Sequence, residues 1–590
     1  MRNLILSYAS VLFTTASAVN YCPFYGPEYP PVTTQLHENE IFKAAVNTFT
    51  TTLDTALATD QSINTTSFAI QLFSTEDSAS DPLFAYYYTS PATRNASVGV
   101  TSITGDTVFR VASVSKIWTV YLWLIKAGGD KLFNEPIIKY VPELRDMVHQ
   151  QRRNKTQQAN NVDFAKWADV TIGELAGQMA GISRDYGFTD IAHSLPPATL
   201  QALGFPLLDK AQTPICGAST PCNRTGLFHG LPNSHPIFPT SHSPAYSNAA
   251  FQILAYALEK ITHKPFEDLL SEAIIEPLGL TKSSYSAPES KYGVIPGTEA
   301  SSFWSFDVGE ETPAGGIYSS PNDLSTVGRS ILSNTLLSPA LTRRWLKPIS
   351  HTSSLDFAAG RPWEIFSFKR ASSRTIDLFT KTGDLVSYAA LLALSPDHNI
   401  GFSVLSAGEN STIVTNSVPS LSNLITKIFI PALEEAAKQE AKKYTGTYAT
   451  GSSSLTLAID ENPGLAVKSW TNNGVNMLQT VKTLYQAANV DDISVRLYYS
   501  ELEYSAKSGS RFVGFRAVIQ NLAGRDVSAP FDGIFSQACV SWEVINAVPY
   551  GNVGLDEFLF EVNRDGDVVS IQPRALRVTL KRNSTISPDL

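Results

Sequence analysis

The chain has 590 residues, enough for about three to four average domains, or fewer if one of them is a large enzyme domain. With 43% hydrophobic and 17% charged residues it has the make-up of a globular protein and not of a disordered one. The net charge of −9 excludes nucleic acid as a main partner: a phosphate backbone wants a basic face, and Arg152-Arg153-Asn154-Lys155 is the longest Lys/Arg cluster.

At the N-terminus Arg2 precedes the apolar stretch Leu4 to Thr15, and Ala16-Ser17-Ala18 fits a small-x-small cleavage pattern. This predicts a signal peptide over 1–18 and a secreted, extracellular protein. The other reading, a buried first helix, is opposed by the prolines that follow at 23, 27, 30 and 31. No later run is long and apolar enough to cross a bilayer. Four cysteines remain, an even number that suits an oxidising compartment. Cys216 and Cys222 flank a short Gly/Ser/Thr/Pro loop and are expected to pair, which leaves Cys22 with Cys539 by elimination. A zinc site competes with this, but no histidine or cysteine nearby has ligand spacing, so no metal and no other cofactor is expected. N-x-S/T sequons at Asn64, Asn95, Asn154, Asn223, Asn410 and Asn583 agree with a secretory route.

In chain order, Ile41 to Ala58 reads as an amphipathic helix, and Phe68 to Phe73 and Leu83 to Tyr88 as strands. Val111 to Lys126 is nearly all apolar, which predicts a core helix and puts Lys116 in the interior. The polar region from Gln150 to Asp163 reads as an exposed loop. Tyr186 to Pro244, rich in Pro, Gly, Ser, Thr and His, is either a lid over a site or a tolerated surface insertion. A helix opens after Tyr246-Ser247-Asn248, with Phe251, Leu254, Leu258 and Ile261 on one face. Pro313 to Tyr318 reads as a tight turn and Pro321 to Leu332 as a helix. Thr375 to Ser406 predicts antiparallel strands, and Leu421 to Lys442 a helix that ends a domain. Beyond Lys443, short strand-like runs alternate with Gly/Asn/Asp turns. The expected organisation is therefore a signal peptide (1–18), a catalytic domain (19–442) and an all-β domain (443–590).

A buried lysine is costly when charged, so Lys116 needs a partner or a task. Ser113 lies three residues earlier on the same helix face, which gives a nucleophile with a base one turn away. S-x-x-K alone is weak. Two further patterns follow in order, Tyr246-Ser247-Asn248 on a loop and Lys381-Thr382-Gly383 on a strand. Tyr550-Gly551-Asn552 also matches the second pattern, but in the β-rich tail. There is no G-x-S-x-G elbow, H-E-x-x-H or Walker loop.

With Phe109-Arg-Val-Ala-Ser-Val-Ser-Lys116, the Pro313-Ala-Gly-Gly turn and Lys381-Thr-Gly-Asp-Leu-Val-Ser-Tyr388, the ordered set resembles the serine β-lactamase and penicillin-binding-protein superfamily, class C-like branch. Secreted fungal β-lactamase-like proteins with a lipocalin-like tail are the most similar kind. The resemblance covers roughly residues 40 to 440 and implies an α+β fold, with an antiparallel sheet flanked by helices beside an all-helical region. It implies that Ser113 attacks a carbonyl, and that Tyr246, its pKa lowered by Lys116 and Lys381, takes the proton together with Lys116. Asn248 would orient Lys116 and bind a substrate carbonyl. The N–H groups of Ser113 and Asp384 would hold the oxyanion, and Thr382 and Gly383 would line the strand against which substrate lies. One phrase departs: where many relatives carry His-Thr-Ser-Gly-Leu, this chain has Gln178-Met-Ala-Gly-Ile182.

The expected function is a secreted serine hydrolase that cleaves an ester, amide or lactam of a small molecule. An acyltransferase or cyclase of a biosynthetic pathway is the enzymatic alternative, and a non-catalytic binding protein on the same fold is the other. The sequence is silent on oligomeric state.

Overall fold

The computed structural model describes residues 21–32, 36–60, 63–78, 81–188, 190–210, 212–217, 221–369, 374–523 and 538–583. The expected signal peptide lies outside the described residues. The chain divides into two compact units. One comprises residues 44–367 and 377–428, and the other residues up to Lys43, Phe368–Ile376 and Phe429 onward.

The first unit opens with α1 (Glu40–Thr59), which begins four residues before the unit's boundary, and with β1 (Ser67–Ser74) and β2 (Phe84–Tyr88). The core helix follows as α2 (Ser115–Lys126), and all its residues from Ser115 to Leu124 are buried. Next come α3 (Ala249–Thr262) and α4 (Pro321–Leu332), the latter with Pro321 in its first turn and Ser320 accepting a capping bond from the Asp323 N–H. The later strands are β3 (Ser350–His351), β4 (Phe357–Ala359), β5 (Glu364–Lys369), β6 (Thr375–Leu385), β7 (Tyr388–Ser395) and β8 (Ile400–Ala407). They form an eight-stranded sheet in the order β2-β1-β8-β7-β6-β5-β4-β3. The early hairpin thus joins the late strands, with Ser67 opposite Ala407 in antiparallel register. In β1, β7 and β8 every residue is buried, which explains their unbroken apolar runs: these central strands are covered on both faces. α4 packs on β1 and β8.

Two regions differ from the sequence reading. Residues 150–163 are largely helical: Pro142–Arg153 is a helix that buries Leu144 and Val148, one turn apart, and Asn154 caps a second short helix, Lys155–Ala159. The density of charged residues hid a two-residue apolar stripe. The 186–244 segment holds short helices at Ile191–Ser194, Pro197–Ala202 and Arg224–Gly230. Its Cys216 and Cys222 are joined. Its far end is pinned where the Ile237 N–H bonds Gly181 O at 2.7 Å. Gly181 has φ +68°, and a Cβ there would stand 2.2 Å from Phe238 O, so only glycine fits.

Helix α5 (Ser411–Glu440) leads to the second unit. Here β9 (Gly446–Thr450), β10 (Ser453–Ala458), β11 (Leu465–Asn472), β12 (Ile493–Ser505), β13 (Arg511–Asn521), β14 (Glu557–Val562), β15 (Val568–Pro573) and β16 (Leu580–Arg582) each pair antiparallel with the next, and β16 pairs with β9. The result is a closed eight-stranded up-and-down barrel, which leaves no free sheet edge. Tyr448, Leu455, Trp470, Leu497, Phe515, Phe560 and Ile571 belong to its core. The N-terminal segment belongs to this same unit. Cys22 is bonded to Cys539, the Cys22 N–H donates to Gln520 Oε1 at 3.0 Å, and the Tyr499 N–H donates to Glu28 O at 3.2 Å. Among the described residues no helix is long and apolar enough to cross a membrane.

Candidate active site

Val111 to Val114 forms a tight turn that feeds α2, and Ala112 within it is held at φ +45°. A non-glycine residue there costs about 1–3 kcal/mol and persists only where its surroundings enforce it. The turn presents Ser113 at the head of the helix. Lys116, one turn along, is fully buried, and its Nζ donates three hydrogen bonds: to Ser113 Oγ (3.1 Å), Asn248 Oδ1 (2.7 Å) and Ala314 O (2.6 Å). Charge-assisted bonds contribute about 1.5–3 kcal/mol each, and together they offset the several kcal/mol that burying an ammonium costs. Two other polar side chains of the helix, Thr119 and Ser115, fix the strand of chain that supplies the third acceptor. Thr119 Oγ1 donates to Pro313 O (2.6 Å), and Ser115 Oγ accepts from the Ile317 N–H (3.1 Å).

Tyr246 donates its hydroxyl to Ser113 Oγ at 2.8 Å. Its loop is clasped by Gln178, the position of the departing phrase. Gln178 Oε1 accepts from the Ser247 N–H (2.7 Å), and its backbone O accepts from the Ala245 N–H (2.8 Å). Ser247 Oγ in turn accepts from the Ala250 N–H and so caps the start of α3. Arg184 O holds the Asn248 N–H (2.8 Å), and the exposed Arg184 guanidinium lies 4.7 Å above the Tyr246 ring.

Lys381 on β6 is buried, with Nζ 5.2 Å from the Tyr246 ring centroid, and is paired with Glu364 at the start of β5. The second Glu364 oxygen accepts from the Thr382 N–H (2.9 Å) and Oγ1 (2.8 Å). Backbone N–H groups of residues two apart point to the same side of a strand, so the Asp384 N–H faces the edge of β6 that Thr382 faces, past the start of β5. Gly383 lies against the nucleophile turn: a Cβ would stand 2.4 Å from Val111 O and 2.6 Å from Ser113 N. That contact requires a glycine whatever the substrate does.

Burial raises the Tyr246 pKa, but the charges of Lys116 and Lys381, with the polar contacts to Lys116 and Ser113, outweigh it and hold the phenol below its ordinary value. Burial also pushes Lys116 down, opposed by Tyr246 and aided by the charge of Lys381. Lys381 goes up: burial acts against its charge, but Glu364 and Tyr246 overcome it. Behind this group lie two acids that no sequence pattern marked. Burial, then the charge of Asp185, pushes Glu311 up to about 8 against the pull of Lys116. Burial likewise raises Asp185, with Asn248, Arg184 and Lys116 opposing it.

The structure thus brings Ser113, Lys116, Tyr246, Asn248 and Lys381 together, with Thr382, Gly383 and Asp384 on the adjoining strand. Tyr550 and Asn552 belong to the second unit, with Tyr550 exposed on a short hairpin. Asn95, Asn154, Asn223, Asn410 and Asn583 are exposed and Asn64 is half-buried. Among the described residues no group of His, Cys, Asp or Glu side chains could hold a metal ion. Sequence reasoning missed Glu364, the Ala314 carbonyl, Asp185, Glu311 and Arg184. Gln178 was visible only as a departure from a family phrase.

The profile of the family described as Beta-lactamase matches residues 84–415, more than half of the chain, and that described as Beta-lactamase-like-like, C-terminal domain, matches residues 436–584. A protein of Arthroderma benhamiae named Beta-lactamase-like protein is 28% identical over 97% of this chain and 98% of its own length. The Probable hydrolase M10 of a Phoma species is 27% identical over 80% of this chain and 75% of its own length. The Probable hydrolase clz13 of Cochliobolus lunatus is 27% identical over 78% of this chain and 74% of its own length.

Proposed function

The chain belongs to the Beta-lactamase family, and we propose that this serine hydrolase cleaves an ester or amide of a small molecule, lactams included, through an acyl-enzyme on Ser113. The observation that carries the reading is one oxygen with two partners: Ser113 Oγ accepts from Tyr246 OH at 2.8 Å and from Lys116 Nζ at 3.1 Å. Because all three Lys116 N–H bonds end on acceptors, Lys116 acts as the charged ammonium. Tyr246, which donates to Ser113 Oγ while it is a phenol, becomes the base once it has lost that proton, and as phenolate it accepts from the Ser113 hydroxyl across the same contact.

In the reaction the Ser113 hydroxyl proton passes to the Tyr246 oxygen while Oγ bonds to the substrate carbonyl carbon. The resulting oxyanion sits between the Ser113 and Asp384 N–H groups. Tyr246 returns the proton to the leaving oxygen or nitrogen as that bond breaks. Water then gives a proton to Tyr246 and attacks the acyl carbon, and Ser113 leaves with that proton. The reading extends to secretion, supported by the leader-like first eighteen residues, two disulfides and mostly exposed sequons.

The test is to incubate the protein with a fluorophosphonate, a chromogenic β-lactam and short p-nitrophenyl esters and to seek a covalent adduct by intact mass and peptide mapping. An adduct on Ser113, with turnover lost in Ser113→Ala, is expected. Turnover that survives Ser113→Ala overturns the mechanism. Alcohols or amines added as competing acyl acceptors separate hydrolysis from transfer, since a transferase forms their adducts faster than it releases free acid.

A further inference from the structure

Walled mostly by the 186–244 segment, with Asp163, Phe164 and Asp185, lies a cavity of about 560 Å³, within the size range of small-molecule sites. Asp163, Asp185 and Asp190 line it with His235, and no lysine or arginine does. The Asp185 side chain is 2% exposed, and neither of its oxygens has a hydrogen-bond partner of full geometry. Its polar neighbours are Arg184 Nε, 3.6 Å away, and the amide of Asn248. A buried carboxylate so weakly compensated is held toward its protonated form, which the raised pKa of Asp185 reflects. Asp163 stands nearer the surface, 45% exposed, and Asp190 is half-buried, so carboxyl groups run from the mouth to the base.

We propose that this cavity binds a cationic amino group, a primary ammonium carried by the acyl group that the substrate transfers to Ser113. The proposal rests on the hydrolase reading for its second half only. A cation in the cavity adds to the partial compensation that Arg184, Asn248 and Lys116 give Asp185, and Phe164 and Tyr186 add aromatic side chains to the lining. The carboxylates do not converge closely enough to hold a metal ion, which favours a larger organic cation. Asp185 also connects the cavity to the chemistry: Asn248, beside it, accepts from Lys116 Nζ at 2.7 Å.

The test uses the full-length Ser113→Ala protein, so that binding is read without turnover. Butylamine at neutral pH is titrated calorimetrically against n-butanol as the uncharged control, in the parent and in Asp163→Asn/Asp190→Asn. Asparagine keeps the Asp190 cap on the Ala192 N–H and the Asp163 bond to Asn160. Butylamine is expected to bind at least fivefold tighter than butanol, and to weaken at least fivefold in the double variant. Equal binding of the two, or butylamine affinity unchanged in the double variant, overturns the proposal. In the wild type, the kcat/KM ratio of p-nitrophenyl 4-aminobutyrate to p-nitrophenyl pentanoate is expected to exceed its value in the double variant about fivefold; an unchanged ratio overturns the substrate assignment. Failure of the wild type to turn over either ester counts against the hydrolase reading, while the calorimetry still decides the cavity.

Discussion

Tyr246 OH and Ser113 Oγ are 2.8 Å apart although 133 positions separate them in the chain, and nothing but packing brings them together. Tyr246→Phe removes only the phenolic oxygen and leaves the ring beneath Arg184. General acid–base groups contribute about 10²- to 10⁴-fold, so kcat/KM for a p-nitrophenyl ester should fall by that factor. Steady-state kinetics check it, and a loss under about threefold would assign the base elsewhere.

The acid limb of the pH–rate profile should report Tyr246. Lys381 stabilises the phenolate, so removing its charge raises the phenol pKa and moves that limb to higher pH. Lys381→Met is expected to shift it upward and Lys381→Arg to shift it less. The companion variant Lys381→Met/Glu364→Gln, which avoids an orphaned carboxylate, should show the same upward shift.

Gly383→Ala should be poorly tolerated. The new methyl meets backbone at 2.4 Å and 2.6 Å, at Val111 O and Ser113 N, and backbone cannot swing aside as a side chain can. Forcing one carbon into a packed site costs about 1–3 kcal/mol. Thermal melting should register that loss, and activity should drop further because the displaced atoms carry the nucleophile.

Glu311 makes stability depend on pH with a definite sign. Its carboxyl is raised to about 8 by burial and then by the charge of Asp185, so between its unfolded value of 4.5 and about 8 the folded state binds more protons than the unfolded state. Stability from this group is full below 4.5 and falls as pH rises through that window. Glu311→Gln should flatten the decline in Tm between pH 5 and pH 8; a decline of unchanged slope would show that another group causes it.

Local structure is legible in the chain where a period of about four residues encodes a face, or where turn residues break apolar runs. The helix after Asn248 shows its face in Phe251, Leu254, Leu258 and Ile261, the helix from Pro321 to Leu332 shows in its opening proline, and the hairpin strands after Thr375 show as unbroken apolar runs separated by turn residues. Helix Pro142–Arg153 escaped because its buried face is only Leu144 and Val148 among charged residues.

By itself, the sequence determined that a lysine would sit inside an apolar helix three residues from a serine, and that a tyrosine and a second lysine follow in the order of the patterns that carry the family resemblance. Only the tertiary structure decided what surrounds them: the Ala314 carbonyl as third acceptor of Lys116, Glu364 as partner of Lys381, and Asp185 and Glu311 buried behind the group. The same is true of the N-terminal segment, which is bonded to the barrel through Cys22 and Cys539, 517 positions apart. The physical reason is one of range. A helix or strand face repeats every few residues and leaves a trace in the chain, whereas a hydrogen bond or an ion pair across the fold needs only two atoms about 3 Å apart and leaves no period to read.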